Sequence, residues 1–340
     1  MLQAFMPEPY KIEYRDVPVP EMGPKQLKLK MKKIGVCGSD IHVWHGKHPY
    51  TSYPVVQGHE VSAVVVEVGS EVEGFQPGDT VTVQPQVTCG SCYPCRHGMY
   101  HVCEELKVMG FQTTGMASDY FVVDAEKCLV LPKNVSLDHA AMIEPLAVAV
   151  HAAHRVCDPA GKKIVVIGGG PIGNLVAQVL MALGAEVFMT EISAARLAVA
   201  AQCGIPTVDP TKTDLKQAIT EHFGEDGADM IYECIGASAT VAQCIELARK
   251  GSDIVIVGVV SDLCPVNMGF VQDHELRIHG TMMYQEADYV ESIRLLGENK
   301  IQLDALITNH IPFKEYAEAY KLIEKERDKC MKVIIDMDET

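Results

Sequence analysis

The sequence predicts an α/β protein with two domains: a β-rich domain at the N-terminus and a domain built on a doubly wound parallel sheet. The chain has 340 residues, which suits about two domains. Up to about residue 145, short alternating or apolar runs are separated by Gly and Pro turns, a pattern typical of strands. From residue 163 onward, apolar runs alternate with helical patterns, which indicates βαβ units and hence a parallel sheet.

The expected elements follow from these runs in chain order. In the first domain we expect strands at 27–31, 61–68, 80–83 and 120–123. In the second domain we expect strands at 164–167, 186–190, 229–233 and 254–257, with helices near 171–184, 193–203 and 238–249. From about residue 288 the pattern returns to helix and predicts a last strand at 332–336.

Composition and charge exclude several classes of protein. Apolar residues make up 48% and charged residues 22%, which is typical of a globular rather than a disordered chain. A net charge of −16 disfavours binding to nucleic acid or to an anionic membrane surface, because both need a basic face. The most apolar stretch, 164–183, is interrupted by glycines and Pro171, so no membrane span is expected. The N-terminus shows no signal-peptide pattern.

Four of the twelve cysteines are closely spaced and predict a structural zinc site. Cys89, Cys92, Cys95 and Cys103 follow the spacing C-x2-C-x2-C-x7-C. Four thiolates on one short loop match a closed tetrahedral zinc site, whereas a ferredoxin cluster has a shorter last gap followed by Pro. A metal site of reduced thiolates also points to a reducing compartment, so we expect a cytoplasmic protein.

A glycine-rich turn after the strand at 164–167 predicts a dinucleotide site. Gly168, Gly170 and Gly173 form G-x-G-x-x-G between a predicted strand and a predicted helix, which is the context that pyrophosphate binding requires. Glu191 ends the next strand, where a carboxylate binds ribose hydroxyls and repels a 2′-phosphate, so NAD is favoured over NADP. Arg196 either lies over the adenine or is solvated. The predicted cofactor-binding residues are Gly168, Gly170, Pro171, Ile172, Gly173, Glu191 and Arg196.

Three further residues suggest a second metal site, although none is specific by itself. Cys37 and His59 have side chains that ligate zinc, and a catalytic zinc keeps one position open for water or substrate. Glu144 lies in a mostly apolar run just before the cofactor domain. A buried carboxylate is costly without a cation, so a nearby metal would explain it; an interdomain salt bridge is the alternative.

Taken in order, several motifs resemble the zinc-dependent medium-chain dehydrogenases over essentially the whole chain. They are GVCGSDIH, GHE, the four-cysteine segment, IEPLAVAVHA, VVIGGGPIG and ECIG. Glu144 in IEPL resembles the sorbitol and polyol branch, and CGSDIHVW with SYPVVQGHE is most similar to its sugar-acid relatives, the galactonate, gulonate and idonate dehydrogenases. Threonine dehydrogenases are the next branch.

The resemblance implies an architecture and an assembly. It implies a GroES-like catalytic domain over 1–146 and 288–340, with the structural zinc lobe at 89–103, and a Rossmann NAD-binding domain over 147–287. It also implies two zinc ions per chain, one catalytic and one structural, and a homotetramer or homodimer.

The resemblance further implies a role for each residue that matches a family motif. Cys37 and His59 match the ligands of the catalytic zinc. Glu60 matches a carboxylate that ligates the metal or swings away from it, and Glu144 matches a residue that ligates the metal or holds its water. Ser39 and His42 match a proton relay, and Asp40 matches the group that orients His59.

These expectations lead to one function and leave alternatives. We expect NAD-dependent oxidation of a secondary alcohol of a polyol or sugar acid to a ketone. Met283 stands where the polyol branch carries an Arg that binds substrate, which argues against sorbitol itself. The alternatives are a threonine-type amino alcohol or a small diol as substrate, and a non-catalytic protein that has kept the fold.

Overall fold

The computed structural model describes residues 1–261 and 263–338, so the last two residues of the predicted catalytic domain lie outside the described residues. The chain forms two compact units. The first, called the β-rich unit, comprises Met1–Glu144, Gln285–Gly297 and Ile307–Thr340. The second, called the parallel-sheet unit, comprises Pro145–Tyr284 and Glu298–Leu306.

The N-terminal part of the β-rich unit is a succession of short strands with three short helices, and a fourth helix carries the chain into the second unit. The strands are β1 (Leu2–Glu8), β2 (Lys11–Asp16), β3 (Gln26–Gly35), β4 (Glu60–Val68), β5 (Thr80–Val83), β6 (Gln86–Val87), β7 (Lys107–Val108), β8 (Tyr120–Asp124) and β9 (Cys128–Val130). The helices are α1 (Gly38–Trp44), α2 (Tyr93–Arg96), α3 (Leu137–Ala141) and α4 (Ile143–Ala153).

The parallel-sheet unit alternates strands and helices, as its sequence predicts. Its strands are β10 (Lys163–Ile167), β11 (Glu186–Thr190), β12 (Thr207–Val208), β13 (Met230–Glu233), β14 (Asp253–Ile256) and β15 (Arg277–Gly280). Its helices are α5 (Pro171–Ala182), α6 (Ala194–Gln202), α7 (Leu215–Phe223), α8 (Ser238–Leu247) and α9 (Met268–Asp273). The strand order is β12-β11-β10-β13-β14-β15 and every pair is parallel, which is the doubly wound dinucleotide-binding order.

The C-terminal segments complete the sheet of the β-rich unit. They contain α10 (Glu286–Gly297), β16 (Ile307–Pro312), α11 (Tyr316–Lys325) and β17 (Lys332–Asp336). The seven-stranded sheet runs β16-β17-β3-β4-β5-β9, and β8 pairs with β3. Two smaller sheets pair β1 with β2 and β6 with β7. The predicted fold class, with a β-rich domain and a parallel sheet, is confirmed.

The central strand β3 shows why this sheet forms. Leu27, Leu29 and Met31 are buried and alternate with lysines, because successive side chains of a strand point to opposite faces. The strand ends at Gly35, which pairs with Glu60 of β4 and with Ile334 of β17. Three strands therefore bring residues from distant parts of the chain together at one end of the sheet.

The predicted strands and helices are all present, with ends shifted by up to four residues. The last predicted strand coincides with β17, and the strand at 80–83 coincides with β5. The prediction did not include strands β1, β2, β6, β7, β9, β12, β15 and β16 or helices α1, α2, α3, α4, α7 and α9.

Candidate active site and metal centres

Cys37 is held at the start of helix α1 by a local hydrogen bond. The backbone N–H of Cys37 donates to Asp40 Oδ2 at 2.9 Å, so the carboxylate three residues later caps the turn. Cys37 has an extended backbone and its side chain is half-buried. This turn directly follows the end of β3, which places the Cys37 thiol beside the neighbouring strand β4.

His59 and Glu60 enter the same place from the start of β4. His59 precedes the strand and Glu60 is its first residue, paired across the sheet with Gly35. Both side chains are buried. One ligand atom from each of Cys37, His59 and Glu60 lies within 4.8 Å of the other two, which is close enough for the three to hold a single metal ion.

A buried lysine fixes the carboxylate of Glu60. Lys332 Nζ lies 2.7 Å from both carboxylate oxygens of Glu60 and 3.3 Å from the carbonyl oxygen of Val36. A Cβ atom on Gly35 would lie 2.2 Å from Glu60 Oε2, so the carboxylate occupies space that any other residue at position 35 would fill. The position of the Glu60 carboxylate is thus fixed by the space beside Gly35 on β3 and by the ion pair with Lys332 on β17.

Asp40 connects His59 to a chain of buried polar side chains. Asp40 Oδ1 accepts from Gln57 Nε2 at 3.0 Å, and Gln57 Oε1 accepts from the Tyr320 hydroxyl at 2.5 Å. The same Asp40 oxygen lies 3.6 Å from His59 Nδ1. A ligating histidine usually directs its second ring nitrogen to a carboxylate, so this arrangement leaves His59 Nε2 for a metal.

The remaining predicted residues of this site lie on two helices. Glu144 is buried in the first turn of α4 and lies outside the three-residue group, although its charge acts on His59 and on Lys332. Ser39 and His42 lie on α1, the first half-buried and the second exposed. The structure records no hydrogen bond between the Ser39 hydroxyl and the His42 ring. Cys37, His59 and Glu60 are therefore brought together, while Glu144, Ser39 and His42 surround them.

The buried charged groups at this site shift one another's pKa values. Burial raises the pKa of Asp40 above its usual value despite the nearby His59. Burial lowers the pKa of His59, but the charges of Asp40 and Cys37 outweigh it and leave the pKa well above the usual value. In the same way, Glu60 outweighs burial and raises the pKa of Lys332. The site keeps charged groups buried because each faces an opposite charge.

The four closely spaced cysteines form a second ligand group. The sulfurs of Cys89, Cys92, Cys95 and Cys103 all lie within 4.8 Å of one another. Cys103 Sγ lies 3.5 Å from Cys89 Sγ and 3.8 Å from Cys92 Sγ. Four sulfurs bound at ~2.3 Å to one tetrahedral zinc are about 3.8 Å apart, so the spacing fits that ion.

Backbone amides point at these sulfurs. Cys92 N donates to Cys89 Sγ at 3.3 Å, and Glu105 N donates to Cys103 Sγ at 3.4 Å. Backbone amides of Ser91 and Cys92 lower the pKa of the Cys89 thiol to about 6. Such donors stabilise the thiolate form, which is the form that binds metal.

Helix α10 secures this lobe to the rest of the β-rich unit. Gln285 Nε2 donates to the Gly98 carbonyl at 2.6 Å, and the backbone N–H of Glu286 donates to the Tyr100 hydroxyl at 2.6 Å. The lobe comes from residues 89–103 and the helix from the C-terminal part of the chain, so the two are joined only in the folded unit.

A third group of potential ligands already contains its own cation. Asp138, His310 and Asp336 place one ligand atom each within 4.8 Å of the others. Lys33 Nζ lies 2.7 Å from Asp336 and 3.3 Å from Asp138. Since the lysine balances the two carboxylates, this group needs no metal.

In the parallel-sheet unit, the glycine-rich turn has the geometry that a dinucleotide requires. Gly168 has a φ of +100°, a conformation that favours glycine. A Cβ atom on Gly173 would lie 1.9 Å from the Gly168 carbonyl oxygen, so glycine is required where α5 packs on β10. Gly170 caps α5, and Pro171 and Ile172 form its first turn, which leaves backbone N–H groups free to face an anion.

Glu191 is fixed beside this turn. Its Oε2 accepts from Gly169 N at 2.9 Å, and its Oε1 accepts from Ile192 N at 2.7 Å and Ser193 N at 2.8 Å. Arg196 Nη1 lies 3.8 Å from Glu191 Oε2. The carboxylate is therefore held at the end of β11 next to the glycine turn, as the fingerprint predicts.

Several contributors to the site could not be found from sequence alone. Lys332 opens an apolar strand and gives no local sign that it faces Glu60. Gln57 and Tyr320 are ordinary polar residues until the fold joins them to Asp40. Gly35 offered the one available signal, a glycine within a strand, which often marks a close approach of another group.

Comparison with known proteins identifies the family of both units. Residues 23–133 match the alcohol dehydrogenase GroES-like domain, and residues 171–298 match the zinc-binding dehydrogenase domain. No helix within the described ranges is both long enough and apolar enough to cross a membrane.

Similar proteins cover nearly the whole chain. A 2-dehydro-3-deoxy-L-galactonate 5-dehydrogenase of Pseudoalteromonas atlantica is 35% identical over 87% of each chain. A sorbitol dehydrogenase of Halalkalibacterium halodurans is 36% identical over 91% of each chain. A crystal structure of a Sinorhizobium meliloti 1021 protein bound to NADP superposes with a TM-score of 0.90, at 29% identity and over 99% of each chain.

Proposed function

Since the chain belongs to the zinc-binding alcohol dehydrogenases with a GroES-like domain, we propose that it oxidises a secondary alcohol of a sugar acid or polyol to a ketone, with NAD as the acceptor. The chain is an oxidoreductase that uses zinc and a nicotinamide cofactor. The observation that supports the proposed reaction most directly is the buried group of Cys37, His59 and Glu60, whose ligand atoms fit one ion.

We further propose two zinc ions per chain with different roles. Cys89, Cys92, Cys95 and Cys103 supply four thiolates, so that ion has no open position and is structural. Cys37 and His59, with Glu60 or Glu144, leave a position for substrate at the other ion. Thiolate ligands need reduced cysteines, so a cytoplasmic location is part of the same proposal.

The residues of the β-rich unit would act on the proton of the substrate hydroxyl. Zinc at this site supplies a Lewis acid that makes a bound hydroxyl more acidic, and NAD supplies the hydride acceptor. The half-buried Ser39 hydroxyl would accept the proton, and the exposed His42 imidazole would pass it to solvent. Asp40 would orient His59, and Lys332 would hold the carboxylate of Glu60 in place near Cys37 and His59.

Glu191 supports the preference for NAD over NADP. Both of its oxygens are fixed by backbone N–H groups at the end of β11, which is the position where dinucleotide-binding sheets usually bind the adenosine ribose. A carboxylate there accepts from ribose hydroxyls and repels a 2′-phosphate. A similar protein is bound to NADP, so the fold by itself does not exclude that cofactor, and we attribute the proposed preference for NAD to the Glu191 side chain.

The sugar-acid or polyol class of substrate comes from the relatives. The names of two similar proteins give their substrates, which are a galactonate derivative for one and sorbitol for the other. Both names describe the dehydrogenation of a compound that carries several hydroxyl groups. The substrate of this chain is therefore proposed within that class.

We also propose that the protein is a homodimer or homotetramer. Strand β15 lies at the edge of its sheet, and the Ile278 side chain is 43% exposed. Arg277 and Thr281 donate their backbone N–H groups toward β14, so the N–H of Ile278 between them points outward. An edge of this kind can pair with another copy. Ile278→Lys should shift the molar mass measured by light scattering toward the monomer, whereas an unchanged mass would contradict pairing through β15.

The proposed reaction is tested by following NADH absorbance with a panel of aldonates, polyols, small diols and threonine. We expect activity with an aldonate or polyol, and loss of that activity after chelation. Glu60→Gln should lower turnover more than it weakens NAD binding. Activity with NADP alone, or turnover that survives complete removal of zinc, would contradict the proposal.

A further inference from the structure

The loop that joins α1 to β4 carries positive and hydrogen-bonding side chains but no acid. Between residues 45 and 59 there are one lysine and three histidines and no Asp or Glu, in a chain whose net charge is −16. The loop begins at the helix that contains Ser39 and His42 and ends at the metal-ligand candidate His59. Its charge is therefore unusual for this protein and is located at the candidate active site.

His48 is held in this loop with one ring nitrogen used and one available. Its ring stacks on Phe111 with centroids 4.7 Å apart and planes 11° from parallel. Phe111 in turn contacts the ring of His59 at 4.9 Å, so only one phenyl ring separates His48 from that ligand. The Thr51 hydroxyl lies 2.8 Å from His48 Nδ1. If Thr51 donates this bond, His48 carries its proton on Nε2 and can donate it to a ligand.

The surroundings of His48 favour a neutral imidazole. Burial, with His42 and His59 nearby, lowers the pKa of His48 below its usual value. No carboxylate contributes to that shift, so no acid competes for the ring. His48 therefore offers an N–H donor rather than a charge, and a charge for binding an anion must come from a neighbour.

Lys47 supplies that charge. Its side chain is exposed, and the structure records no ion pair between Lys47 and any described residue. Its backbone N–H donates to the His42 carbonyl at 2.8 Å, and that of His48 donates to the same oxygen at 3.2 Å. These two bonds fix the adjacent residues against the end of α1, while His45 in the same loop is paired with Glu324.

We propose that His48 and Lys47 bind the carboxylate of an acidic substrate, so that the enzyme acts on sugar acids in preference to neutral polyols. This inference rests on the proposed function and specifies its substrate. One N–H donor and one flexible cation suit a singly charged carboxylate. A phosphate is usually bound by more donors, such as backbone amides or Arg. The hydroxyl to be oxidised and the carboxylate then occupy two parts of one substrate, with Phe111 between them.

The experiment compares kcat and KM of the holoenzyme for three substrate types: hexonates, the corresponding hexitols, and a hexitol phosphate. The variants are His48→Leu, His48→Gln and Lys47→Met. Lys25→Met, an exposed lysine elsewhere in the same unit, is the matched control. Binding of a hexonate to the enzyme–NADH complex is measured by calorimetry alongside.

We expect His48→Leu to raise the KM for hexonates by about tenfold to a hundredfold, the loss expected for a hydrogen bond to a charged group. The KM for hexitols should change little. His48→Gln, which keeps a donor near the position of Nε2, should restore much of the hexonate affinity. Lys47→Met should weaken hexonate binding in a salt-sensitive way, whereas Lys25→Met should not change it.

Three results would overturn the inference: an equal loss for hexonates and hexitols, a wild-type preference for hexitols or for the phosphate, or no change in His48→Leu. Calorimetry measures hexonate binding without turnover, so it distinguishes failure of the carboxylate site from failure of the proposed reaction. Hexonate binding that depends on His48 without any turnover would support the carboxylate site and contradict the proposed reaction. Turnover of hexonates that is indifferent to His48 would support the proposed reaction and contradict the carboxylate site.

Discussion

Lys332 Nζ lies 2.7 Å from both carboxylate oxygens of Glu60, although 272 residues separate the two in the chain. Lys332 is 4% exposed and Glu60 is 1% exposed, so neither charge reaches water. The pair therefore sets where the Glu60 carboxylate stands relative to Cys37 and His59. Removal of one partner would leave a buried charge without its opposite, which is far more costly than the loss of a surface pair.

We expect Lys332→Met to lower the free energy of unfolding by about 3 kcal/mol, the cost of an uncompensated buried charge. Urea denaturation followed by circular dichroism measures it. Lys321→Met, which breaks the exposed pair with Glu318, is the control and should cost less than ~1 kcal/mol. The double variant Lys332→Met with Glu60→Gln should recover part of the loss. If Lys332→Met lowers the free energy of unfolding by no more than Lys321→Met does, the buried pair contributes no more to stability than the exposed pair.

Gly35 is expected to be essential to the same carboxylate. A Cβ atom there would lie 2.2 Å from Glu60 Oε2 and 3.1 Å from Glu60 Cβ, so Gly35→Ala must move a side chain that Lys332 holds. We expect a loss of stability of about 1–3 kcal/mol, typical of overpacking, together with lower turnover. Gly38→Ala is the matched control, because nothing lies within 4 Å of a Cβ at that position. If Gly35→Ala and Gly38→Ala behave alike, the space beside Gly35 does not position Glu60.

The two ligand groups should respond separately to cysteine substitution. Cys92→Ser removes one of four thiolates whose sulfurs lie within 4.8 Å of one another. We expect zinc content to fall by about one ion per chain and the backbone amides near Cys92 to exchange faster with solvent, since a structural site couples metal binding to folding. Cys128→Ser, on β9 and outside both groups, should keep the full zinc content. Full zinc content in Cys92→Ser would argue against a metal at the four cysteines.

The two metal-ligand groups show how much the sequence could predict. The four cysteines and the glycine turn are local in sequence, so spacing alone located them. Cys37 and His59 are not local to each other, and the family resemblance rather than the spacing linked them. Lys332 could not be linked to Glu60 at all, because the contact exists only after β17 pairs with β3 and β3 with β4.

Some of the unpredicted elements have a physical reason. Helix α3 begins with a side-chain cap from Ser136 but has only five residues, too few to show a helical period. Helix α7 begins with a cap from Asp214 and buries one face, so its helical period is present in the sequence but lies in a mostly polar segment. Strand β15 is a sheet edge whose residues are mostly exposed, and it contains Arg277 and His279 instead of an apolar run. Edge strands carry polar residues because an exposed apolar edge would aggregate.

Glu191 should control the choice of cofactor through its charge. We expect Glu191→Gln to lower the ratio of kcat/KM for NAD to that for NADP by about tenfold to a hundredfold, since a like-charge contact costs a few kcal/mol. The change keeps the side-chain shape but turns an amide group toward at least one of the backbone donors. That disturbance affects both cofactors, so the ratio reports mainly the repulsion of the 2′-phosphate. Glu186→Gln, at the exposed opposite end of β11, is the control and should leave the ratio unchanged. An unaltered ratio in Glu191→Gln would assign cofactor choice to other residues.

Glu233 should stabilise the loop that follows the central strand β13. It is fully buried, and its carboxylate accepts from Ile235 N at 3.1 Å, from Gly236 N at 2.9 and 3.0 Å, and from the Thr240 hydroxyl at 2.6 Å. The structure records no ion pair between Glu233 and any described cation, so hydrogen bonds from the loop and from Thr240 in the first turn of α8 stabilise the charge. The loop lies at the carboxyl end of β13, where open parallel sheets bind their ligands.

We expect Glu233→Gln to destabilise the protein by about 1–3 kcal/mol, because its amide group would face a backbone donor in the interior. The dissociation constant for NADH, measured by fluorescence, should also rise, since the loop is no longer fixed. Thr240→Val removes one donor and leaves the carboxylate its backbone partners, so its effect should be smaller. Thr220→Val, at a half-buried threonine on α7, is the control for a hydroxyl lost elsewhere in the unit. If Glu233→Gln lowers stability but leaves NADH binding intact, Glu233 supports the fold without positioning the cofactor loop.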